Sequence, residues 1–65
     1  MKITLRAARV NAGLTIIEAA KLLGIGKDTL VKWERDPGKV TVYKQASISQ
    51  IYNIPIDNII FLDNN

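Results

Sequence analysis

The sequence predicts an all-α fold, a compact bundle of about five short helices. Three observations favour helices: apolar residues recur three or four positions apart, threonines precede the apolar segments, and Gly or Asn follows several of them. β-Branched residues are frequent and favour strands modestly, but the apolar spacing is not the alternation of a strand. One domain is expected over residues 1–65, because a chain of this length buries only about 60% of its unfolded surface.

Each predicted helix has a start or stop signal of its own. The predicted helices cover residues 5–12, 16–23, 27–35, 42–52 and 56–60. The N-caps of the first, second and fourth are expected to be threonines: Thr4, Thr15 and Thr41. Thr15 also forms a capping-box pattern with Glu18. Left-handed ends are expected at Gly13 and Asn53, and Pro55 pre-sets the first turn of the fifth helix.

The second and third predicted helices are joined by only three residues, Gly24-Ile25-Gly26. Helices joined this tightly cross steeply only where the residues at the crossing are small, and Ala19 and Ala20 meet that condition. Leu30 and Trp33 are expected to face inward, which leaves an exposed face on the third helix: Lys27, Asp28, Val31, Lys32 and Arg35. A basic face of this kind fits the major groove of DNA, so the segment is interpreted as a helix-turn-helix.

The charged residues are distributed unevenly along the chain. All nine basic residues lie in residues 1–44 together with four acidic ones, whereas residues 45–65 contain two acidic residues and no basic one. The first part therefore has a charge of +5 and the second a charge of −2. This asymmetry favours a polyanion as partner of the first part, although a solvated basic surface explains the charge equally well.

The composition argues against several classes of function. The chain has no cysteine and no histidine, so neither a disulfide nor a zinc site is expected, and no cofactor or small-molecule ligand is predicted. An enzyme is not expected, because there is no phosphate-binding glycine loop and no carboxylate pair on one face; Asp57 and Asp63 are interpreted as helix-start and tail charges. With no segment able to span a membrane and no signal peptide, a cytoplasmic location is expected.

The C-terminal segment is unusually apolar for its length. Three isoleucines, Ile56, Ile59 and Ile60, are expected to close the core, and Phe61-Leu62 is either packed core or a short edge strand. Because so short a segment cannot bury all of these groups, three residues are candidates for a homodimer contact: Tyr52, Phe61 and Leu62.

Four segments occur in the order and spacing of a known family: LRAARVNAGLT, EAAKLLGI, TLVKWER and IYNIPIDNIIF. Over residues 5–61 the chain resembles the Cro/repressor-type helix-turn-helix proteins (the XRE family), and it is most similar to small stand-alone regulators from phages and mobile elements of Gram-positive bacteria. The resemblance implies a lambda-repressor-like DNA-binding fold of about five helices. It also implies a repressor or Cro-like transcriptional regulator that binds a double-stranded DNA operator, usually as a symmetric homodimer.

The resemblance also implies roles for individual residues. It places three side chains at base edges, Lys27, Asp28 and Lys32, and three others at the flanking phosphates, Thr29, Arg35 and Lys39. Thr15 is a further phosphate contact, because it begins a helix whose free amides suit an anion. Stabilisation of the helix dipole is the alternative for Asp28, and a solvated face is the alternative for the two lysines. Arg9 and Glu34 match a family ion pair between the first and third helices, with a phosphate contact as the alternative for Arg9.

Two positions depart from the family pattern. Ile16 stands where a glutamine often contacts phosphate, and Gly26 stands where a serine or threonine usually caps the third helix. Isoleucine forms no side-chain hydrogen bond and glycine weakens the start of the third helix, so together they predict a modest affinity or an altered contact mode. Ile16, together with the acidic Asp28 on the reading face, motivates an alternative function, a protein-interaction module or antitoxin on the same fold with little direct DNA readout.

Overall fold

The computed structural model describes residues 1–62, so the predicted tail charge of Asp63 lies outside the described residues. The regular elements are strand β1 (Ile3–Thr4), helices α1 (Leu5–Asn11), α2 (Ile16–Leu23), α3 (Lys27–Arg35) and α4 (Val42–Tyr52), and strand β2 (Ile59–Ile60). Two 3-10 turns, Pro37–Lys39 and Ile56–Asn58, precede α4 and β2. None of the helices within residues 1–62 is long and apolar enough to cross a membrane.

Threonine side chains begin three of the helices, as the sequence predicts. Thr4, Thr15 and Thr41 each accept a hydrogen bond from the amide three residues further on, at 3.1, 3.1 and 3.2 Å. Glu18 Oε1 accepts from the Thr15 amide at 2.9 Å, which completes the capping box. Residues with positive φ follow α1, α2 and α4: Gly13 (76°), Gly24 (70°) and Asn53 (55°). The first four predicted helices are therefore confirmed, with ends that agree within one residue.

The predicted fifth helix is wrong. Residues 56–58 form a single 3-10 turn, after which the chain becomes extended and β2 pairs in parallel with β1, Ile3 opposite Ile59 and Thr4 opposite Ile60. The physical reason is the long-range partner, because the backbone of β1 offers a ladder to a β-branched segment that is too short for a stable helix. The possible C-terminal strand thus exists, although it lies at Ile59–Ile60 and not at the residues that follow.

The core lies where the four helices meet, and β2 covers one side of it. Leu5, Leu30 and Ile48, from α1, α3 and α4, are fully buried. The buried residues of α2 are Ala19, Ala20 and Leu23, which include the two alanines expected at the crossing. The half-buried side chains that surround this core are Ile3, Leu14, Ile16, Ile25, Trp33, Ile51 and Ile54. Of the three isoleucines expected to close the core, Ile59 is buried and Ile60 half-buried, but Ile56 is exposed because it lies in the 3-10 turn.

An ion pair between Arg9 and Glu34, the pair that the family resemblance implies, joins α1 to α3. Arg9 Nε donates to Glu34 Oε2 at 2.6 Å, and both side chains are about nine-tenths buried. A second guanidinium nitrogen, Nη1, donates to the Leu14 carbonyl at 2.9 Å, so the same side chain also holds the loop between α1 and α2. Removing one partner would leave a buried uncompensated charge, at a cost of about 3–5 kcal/mol.

The hydroxyl of Tyr52, at the end of α4, is buried without a hydrogen-bond partner among residues 1–62. Burial raises the pKa of this hydroxyl to about 12, and the nearby negative charge of Glu34 acts in the same direction, against the opposing effect of Arg9. An unpaired buried hydroxyl has lost its hydration without compensation, which costs about 1–3 kcal/mol. Tyr52 therefore stabilises the core through its ring and destabilises it through its oxygen.

Tyr52→Phe is expected to raise the free energy of unfolding by about 1 kcal/mol, because it removes the unpaired hydroxyl and keeps the ring. The gain would raise the Tm by roughly 4–8 °C in a domain of this size. The wild type should also lose stability as the pH rises from 10 towards 12, because the hydroxyl ionises in the unfolded chain before it does so in the folded one. This contribution should be absent from Tyr52→Phe.

The control is Tyr43→Phe, which removes a hydroxyl from a side chain that is 78% exposed and should change the stability by less than about 0.5 kcal/mol. Thermal unfolding followed by circular dichroism measures both variants. A Tyr52→Phe protein that melts below the wild type would mean that the hydroxyl has a stabilising hydrogen-bond partner.

Candidate nucleic-acid interface

A left-handed helix end and a three-residue turn connect α2 to α3. Gly24, in the left-handed region, and Ile25 both donate their amides to the Ala20 carbonyl, and Ile25 packs its side chain against the core. The chain then turns through Gly26, and α3 begins at Lys27. This arrangement fixes where α3 begins and which of its faces meets the core.

The outward side of α3 presents the predicted set of charged residues. Leu30 is fully buried and Trp33 is half-buried against the core, so the opposite side of the helix faces solvent. The α3 face, as we call it, consists of the exposed residues Lys27, Asp28, Val31, Lys32 and Arg35. Thr29 on the same helix and Lys39 in the following 3-10 turn are also exposed. The structure therefore places all predicted base and phosphate contacts of residues 27–39 on the surface.

The start of α2 presents the remaining predicted phosphate contact, Thr15. Its backbone amide donates to the Glu18 carboxylate and its hydroxyl accepts from the Glu18 amide. The capping box thereby satisfies two of the backbone amides at the start of the helix, those of Thr15 and Glu18. The amides of Ile16 and Ile17 stay available to a ligand. The side chain of Ile16 packs against the core, which accounts for an apolar residue at this position.

The first turn of α3 has no side-chain cap. Gly26 occupies the N-cap position with an extended backbone (φ −75°, ψ 153°) and forms no side-chain hydrogen bond. Asp28 lies in this turn and is exposed, so its carboxylate stabilises the positive end of the helix whether or not it also contacts a base.

Lys44 binds the C-terminal end of α2, a contact that was not predicted from the sequence. Its Nζ reaches from α4 to the carbonyl of Leu23, the last residue of α2, and donates to it at 2.7 Å. An ammonium group at this position satisfies an otherwise unpaired carbonyl and stabilises the negative end of the helix dipole. No local signal predicts the contact, because its partners are far apart in the sequence. Lys44 thus ties α4 to the residue that precedes the turn.

Two of the three predicted dimer contacts lie inside the monomer. Tyr52 is only 4% exposed and Phe61 only 7% exposed, because both belong to the core cluster. Leu62 is 71% exposed. The apolar composition of the C-terminal segment does not indicate which of these residues are buried and which are exposed. Phe61 faces inward because β2, which precedes it, pairs with β1 at the other end of the chain.

Two short helices joined by a three-residue turn, the second with a mainly basic exposed face, define a helix-turn-helix DNA-binding domain. A family model described as Helix-turn-helix matches residues 5–59, and the chain belongs to this family, the XRE type of DNA-binding regulators. No curated protein and no solved structure shows a significant match to the chain.

Gly26→Ser is expected to stabilise the protein by about 0.5–1 kcal/mol. A Cβ at this position meets no atom within 4 Å, the backbone conformation suits any residue, and a serine hydroxyl there could accept from the amide of Thr29. Serine also has fewer unfolded conformations than glycine, which adds to the gain. Chemical denaturation measures the change.

The matched variant is Gly24→Ser, at the other end of the same turn. Its Cβ also meets no atom within 4 Å, but φ is +70°, so the substitution should cost about 1 kcal/mol. The two variants differ in backbone conformation and not in available space, and equal effects on stability would contradict this explanation of the turn.

Proposed function

We propose that this protein is a sequence-specific transcriptional regulator, a repressor or a Cro-like protein, that places α3 in the major groove of a double-stranded operator. The observation that supports this most directly is the α3 face, a mainly basic and exposed helix surface on a helix-turn-helix. The major groove is about 12 Å wide and admits one α-helix. The XRE-type family of the chain supports the same function.

Base recognition is proposed for Lys27, Asp28 and Lys32. Within residues 1–62 the one salt bridge joins Arg9 to Glu34, so these three charges are not bound to each other or to other described side chains. Lysine can donate to O6 and N7 of guanine, and aspartate can accept from the amino group of cytosine. An operator half-site that contains G·C pairs is therefore proposed.

Phosphate contacts are proposed on both sides of these bases. Arg35, at the end of α3, and Lys39, in the next turn, are exposed cations, and the Thr29 hydroxyl is exposed on α3. At the start of α2, the Thr15 hydroxyl keeps its own proton as a donor, and the Ile16 and Ile17 amides are available beside it. Four exposed cations per subunit lie on α3 and in the turn after it, and if each neutralises one phosphate a dimer would bind with a log–log salt slope near −7.

A symmetric dimer is proposed, with its contact at the exposed part of the C-terminal segment, because Tyr52 and Phe61 are buried in the monomer. Leu62 and the exposed Ile56 border one shallow groove together with Lys2 and Asp57. In a two-fold contact each group meets the partner's equivalent surface, so the lysine of one subunit can face the aspartate of the other beside the apolar centre. Such a dimer would place two α3 helices about 34 Å apart on the DNA.

Replacing both Lys27 and Lys32 by Ala is expected to weaken operator binding by about 100-fold or more, because each lysine would lose its base contacts. The operator is first obtained by selecting bound sites from random DNA with the wild type, and affinities are then measured by fluorescence anisotropy. The charge-matched control replaces Arg6 and Lys21 by Ala, because both are exposed and lie outside α3 and outside the proposed dimer contact, and it should lose far less affinity.

The same selection tests the second candidate function. A protein-interaction module is favoured by two exposed apolar side chains of α2, Ile17 and Leu22, because the proposed phosphate contact uses backbone amides and not these side chains. Enrichment of no sequence by the folded wild type would contradict the DNA-binding proposal and favour this module.

Leu62→Asp is expected to give a folded monomer, because the side chain lies outside the core and a charge would be buried in the proposed contact. Its salt slope should fall from near −7 to about −3.5, since one subunit neutralises half of the phosphates. Sedimentation equilibrium measures the mass, and Val10→Asp, an exposed valine on α1, should remain dimeric. A Leu62→Asp protein that is still dimeric would exclude this contact.

A further inference from the structure

The α3 face contains one large apolar side chain, Val31, which does not belong to the buried core. Val31 is 41% exposed, and it is not among the half-buried residues that pack against the core. By contrast, two nearby side chains of the same helix stabilise the fold, since Leu30 lies in the buried core and Trp33 packs against it. Valine is also a weaker helix former than the lysines beside it, so helix propensity does not explain its presence.

Val31 occupies the centre of the α3 face. It lies one turn after Lys27 and one turn before Arg35, so these three side chains form one row along the helix. Asp28, three residues earlier, and Lys32, the next residue, are also exposed and lie on the adjacent row. Any surface that binds this face would therefore desolvate the valine together with the charged groups.

The major groove offers such a side chain only one kind of favourable partner. Base edges in that groove display hydrogen-bond donors and acceptors, and the 5-methyl group of thymine is their apolar group. A valine placed against a donor or acceptor would remove water from it without replacing the hydrogen bond, which is unfavourable. Against a thymine methyl, both apolar surfaces leave water and no hydrogen bond is lost.

We propose that Val31 is a specificity-determining residue that recognises a thymine through its 5-methyl group. The proposal rests on the proposed function and adds a third base type to the guanine and cytosine expected for the charged residues. Because Lys27 and Val31 are four residues apart, about 6 Å along the helix axis, the thymine lies within about two base pairs of the pair that Lys27 contacts.

The experiment removes the methyl group from the DNA and the valine from the protein. In a selected operator, each thymine of one half-site is replaced in turn by deoxyuridine, which lacks the 5-methyl group and keeps every hydrogen-bonding group. At one position the wild type should bind about four-fold more weakly. Val31→Ser should bind the thymine operator about as weakly, and it should no longer distinguish thymine from uracil at that position.

Val42→Ser is the matched control, because Val42 is an exposed valine in the first turn of α4 and outside α3. It should retain the four-fold preference for thymine. A wild type that tolerates uracil at every position, or a Val31→Ser protein that keeps the wild-type preference, would overturn the proposal.

The outcomes separate this proposal from the function on which it rests. If no site is selected, the DNA-binding function fails and the proposal fails with it; if a site is selected without a uracil effect, only the thymine contact fails. The wild-type uracil scan needs no variant, so the proposal can be refuted even if Val31→Ser is unstable.

Discussion

The orientation of α3 depends on the buried ion pair between Arg9 and Glu34. The guanidinium group holds three parts of the chain at once, since it binds Glu34 on α3 and the Leu14 carbonyl while it belongs to α1. Apolar packing of Leu30 and Trp33 holds α3 against the core, but such contacts tolerate small rotations. The directional hydrogen bonds of the ion pair limit those rotations, so they hold α3 in the orientation that the burial of Leu30 selects.

The basic residues of this chain have two different functions. Arg9 is buried in its ion pair and Lys44 is bound to the end of α2, so neither cation is fully available to a polyanion. The charge asymmetry along the sequence therefore overstates the charge that attracts DNA. The exposed cations of α3 and of the turn after it are a small, localised set, and a localised charge orients a partner better than a diffuse one.

Local signals in the sequence predicted the four helices, and the features that were not predicted depend on long-range contacts. Thr15 with Glu18 and Gly24 act within a few residues, so α2 and its end follow directly from the sequence. The outward side of α3 was likewise predictable, because burying Leu30 fixes the opposite face by helical geometry. By contrast, β2, the Lys44 contact and the burial of Phe61 each need a partner that lies elsewhere in the chain, and no local pattern indicates it.

The parallel pairing of Ile3 with Ile59 has a consequence for the order in which the chain folds. Forming this pairing closes nearly the whole chain into one loop, and the entropic cost of closing a loop increases with its length. The contacts between α2 and α3 close only a short loop, so they form at a much smaller entropic cost. The helix-turn-helix is thus the part of the domain that can assemble at a low entropic cost, whereas the two-stranded sheet, which brings Ile59 into the core, requires the ends of the chain to meet.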